Sequence, residues 1–144
     1  MRKTPSLLRI IKVDYAASLG VIAPLVVWAL AGITRFFDPE AGAFFLTLAP
    51  AVTALGAALL AWRAWMIHQV FSEGDETPGV IVSAGFFRGR GRLEYVYTYQ
   101  SRKYLSGNAV QATAATRALT VGQEVTVMVH RLHPKRAFVR ELYL

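Results

Sequence analysis

The chain contains no cysteine. That excludes disulfides, thiolate metal sites and cysteine nucleophiles. Acids are scarce where a polar domain would need them for chemistry. Between residues 79 and 144 only Glu94, Glu124 and Glu141 stand against ten Lys or Arg. Paired carboxylates for acid–base work are absent, and no Ser/His/Asp set emerges. Histidine is limited to His68, His130 and His133. His130 and His133 flank a strand end, with no cysteine or carboxylate pair to complete a metal set. No catalytic residue, metal or cofactor is expected. His68 borders an apolar run and could pair with lipid or Glu73. A lone histidine there is a thin basis for a haem or pigment ligand.

Charge is missing altogether from residues 15–34 and 41–62. The chain of 144 residues is 54% hydrophobic, above the 45–50% usual for soluble domains. The run Tyr15 to Ile33 would make roughly 28 Å of helix, close to a hydrocarbon core of roughly 30 Å. Pro24 lies within it, which membrane helices tolerate. The run is longer than the apolar core of a signal peptide, and a second run follows at once. An uncleaved anchor is therefore expected. The second run, Ala41 to Trp62, is rich in small residues. Ala54, Ala57, Ala58 and Ala61 recur at helical spacing and form a candidate packing face. That face suits either the first helix or a helix of another protein. Trp62, Arg63 and Trp65 look like interfacial anchors, with the arginine snorkelling. Asp38-Pro39 between the runs is a turn and helix-start signal.

The net charge is +7, and it is carried by the two ends of the chain. Arg2, Lys3, Arg9 and Lys12 precede the first run against a single Asp14. Positive residues before the first helix place both termini in the cytoplasm. The organisation expected is a basic N-terminus and transmembrane hairpin over residues 1–71, with helices at about 15–34 and 41–66. An acidic hinge follows at 72–78, then a small cytoplasmic β-domain at 79–144.

Within that domain the periodicity changes to two. Gly79 to Phe87 reads as a strand. Leu93 to Gln100 alternates, with Leu93, Tyr95, Tyr97 and Tyr99 on one face. Lys103 to Leu105 reads as a short strand ended by a turn at Ser106-Gly107-Asn108. Ala109 to Ala118 is ambiguous between helix and strand. Val125, Val127 and Val129 share a face of the next strand. His133-Pro134-Lys135 reads as a turn and Ala137 to Leu144 as the last strand. Short connections favour antiparallel hairpins. The fold class expected is membrane α + β: a two-helix hairpin, then a small all-β, SH3-like or OB-like curved sheet or barrel. The hairpin is expected to contribute nothing to the core of that barrel.

These residues also carry a likeness. The series Pro78-Gly79-Val80-Ile81-Val82, Tyr95-x-Tyr97-x-Tyr99, Tyr104, Gly122-Gln123-x-Val125-x-Val127 and Pro134-x-x-Ala137 resembles a widespread family of small bacterial membrane proteins. Its members have one or two membrane helices and a short C-terminal β-rich domain of unknown function. The likeness covers residues 78–144 and departs from the pattern at His130-Arg131-Leu132. It implies the architecture and supplies no catalytic residue.

The sharpest local feature is Arg88-Gly89-Arg90-Gly91-Arg92. Such a loop suits phosphate in lipid headgroups or an acidic partner surface, and equally a plain solvated turn. Arg136 joins these three arginines as a candidate contact to an anionic surface or partner. It is not a P-loop. The tyrosines share a face with Leu93 and suit the core better than base stacking, which argues against nucleic acid. The reading is a non-catalytic accessory or structural subunit of an inner-membrane complex. Its partners would be integral membrane subunits and anionic phospholipid headgroups, with no soluble substrate. The rivals are a membrane-tethered sensing module for a peptide, small ligand or lipid, and an interfacial lipid-acting enzyme.

Overall fold

The computed structural model describes residues 4–144, so Arg2 and Lys3 of the basic N-terminus lie outside the described residues. Ser6 opens α1 (Leu7–Val13) by accepting a bond from the Arg9 amide at 3.2 Å. The hydropathy pattern does not predict this short helix. Ile10, Val13 and Ala17 lie on its inward side and that of the next helix, at spacings of three and four, and all are buried. Asp14 ends α1 and begins α2 (Tyr15–Phe37), capping it by accepting from the Ala17 amide at 2.9 Å.

Asp38 alone separates α2 from α3 (Pro39–Glu73). Its carboxylate accepts from the Glu40 and Ala41 amides at 3.1 Å, and Pro39 occupies the first turn. Both helices are longer than the hydropathy pattern suggests, because the caps sit at Asp14, Asp38 and Gly74 rather than at the ends of the apolar runs. Both are long and apolar enough to cross a membrane. They pack through small residues. Gly42, Ala49 and Gly56 recur every seven residues along α3 and are buried, with Gly42 against Arg35 and Gly56 against Gly20 and Pro24 of α2. A Cβ on Gly20 would stand 2.6 Å from the Gly56 carbonyl oxygen, and one on Gly56 would stand 2.8 Å from Pro24 Cγ. Only backbone fits there.

The chain passes from α3 into the sheet through Gly74 alone. Residues 72–78 are therefore the last turn of α3 and the start of β1 (Asp75–Phe87), not a hinge. Asp75 and Glu76 are partnered. Asp75 accepts from Arg131 at 2.9 Å and from the Tyr99 hydroxyl at 2.9 Å, and Glu76 lies 3.3 Å from Arg140. β1 pairs antiparallel with β2 (Arg90–Tyr99), and β2 pairs with β3 (Arg102–Gln111). On its other side β1 pairs with β4 (Glu124–Val129), which pairs with β5 (Ala137–Val139). The order is β3-β2-β1-β4-β5. A bulge between Ile81 and Ser83 helps β1 bend. Between β3 and β4 lies α4 (Ala114–Arg117), opened by a Thr113–Thr116 capping box.

The outer strands β3 and β5 nearly close the sheet through side chains. Tyr95 Oη lies 2.6 Å from both Asn108 Oδ1 and the Ala137 carbonyl, and donates its one proton to either. Asn108 Nδ2 donates to the Ala137 carbonyl at 3.1 Å, and Ser106 Oγ to the Lys135 carbonyl at 3.0 Å. Tyr97 Oη donates to the Pro134 carbonyl. This corrects the turn expected at Ser106-Gly107-Asn108. Those residues lie inside β3, because their polar side chains close the sheet rather than bend the chain. The expected last strand is also shorter. It gives way after Val139 to α5 (Arg140–Tyr143), which buries Leu142 and Tyr143.

Leu93, Tyr95, Tyr97, Val125, Val127 and Val129 are all buried. They share one core with Ile10, Val13 and Ala17 at the start of the chain and with Met66, Ile67, Val70 and Phe71 of α3. The helices do contribute to the core of the sheet, contrary to expectation. The end of α3 is amphipathic, and its apolar side covers the sheet.

Candidate functional site

The sheet has two ends of different character. One meets the helix hairpin. Val110 of β3 forms a bridge with Asp14, between α1 and α2. Asp14 is 0% exposed. Its carboxylate takes two bonds from Arg63, one from Nε at 3.1 Å and one from a terminal nitrogen. The Tyr143 hydroxyl stands 3.4 Å away. Burial, then the neighbouring carboxylate, pushes the Tyr143 phenol well above its ordinary range. The Arg63 guanidinium also lies 5.6 Å from the Phe138 ring. Arg63 thus turns inward, joining the two helices to the sheet, while Trp62 and Trp65 face outward. Arg9 completes this junction by donating to the Leu142 carbonyl at 2.9 Å.

The β1–β2 turn lies at the same end. Gly91 is the register partner of Val110, and the Ala112 amide donates to the Gly89 carbonyl at 2.9 Å. Arg88 has φ of 48° and Gly89 of 82°. Two successive positive values are the signature of a type I′ hairpin turn, which glycine at the second position makes easy. Arg88, Arg90 and Arg92 are all exposed. Arg92 is paired with Glu94 at 2.9 Å. Arg88 lies 5.0 Å over the ring of Phe87, and Arg117 lies 5.5 Å over that of Phe86. Phe87 and Arg117 were not singled out in the sequence. The Phe86-Phe87 pair directly before the arginines was the available signal.

The far end of the sheet holds Asp75, Tyr99, Arg131 and the β4–β5 loop. Arg136 is there, in the residue before Ala137, so it does not join the other three arginines. His130 is buried. Its Nδ1 accepts from the amides of Leu132 at 3.1 Å and His133 at 3.3 Å. Burial, with His133 and Arg136 nearby, pushes its pKa below the ordinary value. Burial likewise pushes the Tyr97 phenol up to about 12. Among the described residues no group of three or more His, Asp or Glu is placed to hold a metal ion. His68 is half-buried on α3.

The alanines at 54, 57, 58 and 61 are exposed along α3. The contact with α2 is made instead by Gly42, Ala49 and Gly56. On the outside of the sheet, a groove of about 500 Å³ is lined by Pro78, Val80, Val82, Val96 and Lys103, among others.

A helix hairpin continuous with a nearly closed five-stranded antiparallel sheet defines the class of this protein. Its sheet region, residues 77–142, matches the family described as Domain of unknown function (DUF3592). That span takes in all of β2 to β5 and nearly all of β1, in agreement with the likeness noted over 78–144. No curated protein and no solved structure matches the chain.

Proposed function

We propose that this is a non-catalytic accessory or structural subunit of a bacterial inner-membrane complex, with both termini in the cytoplasm. The carrying observation is how little of the two apolar helices the protein covers. Only 28% of the apolar window of α2 and 11% of that of α3 is buried. A core helix of a soluble protein would be mostly covered. These helices present their apolar surface outward, which suits lipid and neighbouring membrane helices. The alanine face at 54, 57, 58 and 61 is free of α2 and lets a foreign helix approach closely. The β-domain stands on the cytoplasmic side and braces the assembly there. Of the two barrel shapes expected, the strand order and the helical turn between β3 and β4 fit the OB-like one.

Two experiments test this. Native extraction in mild detergent, followed by identification of co-purifying subunits, should return a defined complex. A lone monomer would refute the accessory role. Single cysteines at Ser6, Asp38 and Gly107 report topology through an impermeant thiol reagent in intact cells. Labelling is expected at Asp38 alone. Labelling at Ser6 or Gly107 instead would invert the orientation.

The outer groove favours one second reading, a sensing module that holds an extended peptide. Its apolar floor is flanked by Lys103 and Glu124. A peptide-dependent rise in Tm of the full chain would support it.

A further inference from the structure

The tip of the β1–β2 hairpin combines four properties that meet nowhere else among the described residues. It is at the end of the sheet tied to the helix hairpin, through Gly91, Val110 and Asp14. It exposes a large aromatic ring, since Phe87 is 63% exposed. It gathers cations that lack acids: neither Arg88, Arg90 nor Arg117 has a carboxylate partner among the described residues. And it holds Arg88 at a positive φ that glycine or asparagine adopts more readily.

We propose that Phe87, Arg88 and Arg90, with Arg117 beside them, form a docking element for anionic phospholipid headgroups. The inference rests on the reading above, in which α2 and α3 cross the bilayer. Asp14 and Arg63 flank the apolar runs, so they mark the level where the helices leave the hydrocarbon. The Val110 bridge sets the sheet at that level, and the hairpin tip extends from the adjoining position. Guanidinium groups pair with phosphate in a two-pronged geometry. An exposed aromatic ring beside them suits the boundary between headgroup and acyl chain. Arg92 takes no direct part because Glu94 neutralises it, and Arg136 takes none because it lies at the far end.

The test uses the full chain in vesicles. It is cysteine-free, so Ala112→Cys, Leu132→Cys and Leu55→Cys each place one fluorophore. These report the hairpin tip, the far end of the sheet and the middle of α3. Headgroup and acyl-chain nitroxides serve as quenchers, in phosphatidylcholine vesicles with and without phosphatidylglycerol. The label at Leu55 should be quenched from the acyl chains in both. The label at Ala112 should be quenched from headgroups far more with phosphatidylglycerol present, and the label at Leu132 should not. In Arg88→Gln/Arg90→Gln most of the Ala112 quenching should disappear while circular dichroism is unchanged. Raising salt from about 0.1 M to about 1 M shortens the Debye length from about 10 to about 3 Å. It should do the same to the unsubstituted hairpin, and that comparison decides the matter if the double variant does not fold. Quenching at Leu55 with an Ala112 signal indifferent to phosphatidylglycerol and salt overturns the docking element alone. An unquenched Leu55 overturns the membrane reading, and the proposal with it.

Discussion

Replacing Arg63 with methionine removes a charge but keeps most of the side-chain volume. What remains is Asp14, 0% exposed, with one backbone donor at 2.9 Å and the Tyr143 hydroxyl at 3.4 Å. Breaking a buried pair from one side costs about 3–5 kcal/mol, because the other charge is left uncompensated. Arg63 is better placed to lose its partner, since its side chain keeps 15% exposure and can reach water. Asp14→Asn also keeps an oxygen to cap α2, so it should cost less, about 1.5–3 kcal/mol for bonds to a charged group. In the double variant neither charge is buried unpaired. Its loss should fall well short of the sum, with a coupling of about 2–3 kcal/mol. Thermal unfolding of the full chain in detergent reads this. For a chain of this size each kcal/mol moves Tm by about 2–4 °C, so Arg63→Met should lower Tm by roughly 6–20 °C. A loss under about 1 kcal/mol, or simple additivity, would refute the view that this pair ties the helices to the sheet.

Val127→Ala should destabilise by about 1–3 kcal/mol in the same assay, the cost of trimming a fully buried valine, whereas Thr126→Lys should be tolerated; equal damage from both would place the core face of β4 wrongly. Gly56→Leu should open the hairpin, because the Gly20 carbonyl and Pro24 occupy the space. A disulfide between cysteines placed across α2 and α3 should then form more slowly, and an unchanged rate would sink that argument. His130 carries a pH prediction. Its folded pKa lies below the unfolded value of about 6.5, so the unfolded chain binds the extra proton first. Stability should be full above about pH 6.5 and fall as pH drops below it. His130→Gln should flatten that slope, and a wild-type Tm constant down to about pH 5.5 would contradict it.

The parts of this structure that could be read from the sequence are those whose cause is local. Leu93, Tyr95 and Tyr97 recur at every second position, and Asp38 precedes a proline. Such patterns survive folding unchanged. The turn misplaced at Ser106-Gly107-Asn108 shows the limit. Turn propensity there is real, but Asn108 earns its place by bonding to Tyr95 and Ala137, which lie 13 and 29 residues away. The Asp14–Arg63 pair spans 49 residues, and as separate charges they had no pattern to reveal them. A signal did exist. Both flank apolar runs, and an antiparallel hairpin necessarily brings its two open ends level. A snorkelling Arg63 follows from its own flanks alone; the hairpin sets Asp14 level with it and turns it inward.

The same pair changes what the sheet can do. A hinge of seven residues would let the β-domain swing, and contact with a surface would then depend on tether length and charge. Here α3 continues past Arg63 into the core and leaves a single glycine before β1. Val70 and Phe71 pack with the sheet residues, and α1 and α5 are latched through Arg9. Each of these contacts alone is modest, but together they leave no soft element between helix and strand. The height of the Arg88–Arg90 tip above the helix ends is thus set by the fold. A charge held at fixed height keeps its position within a Debye length without an entropic cost of docking. Such preorganisation favours the proposed contact by Arg88, Arg90 and Arg117.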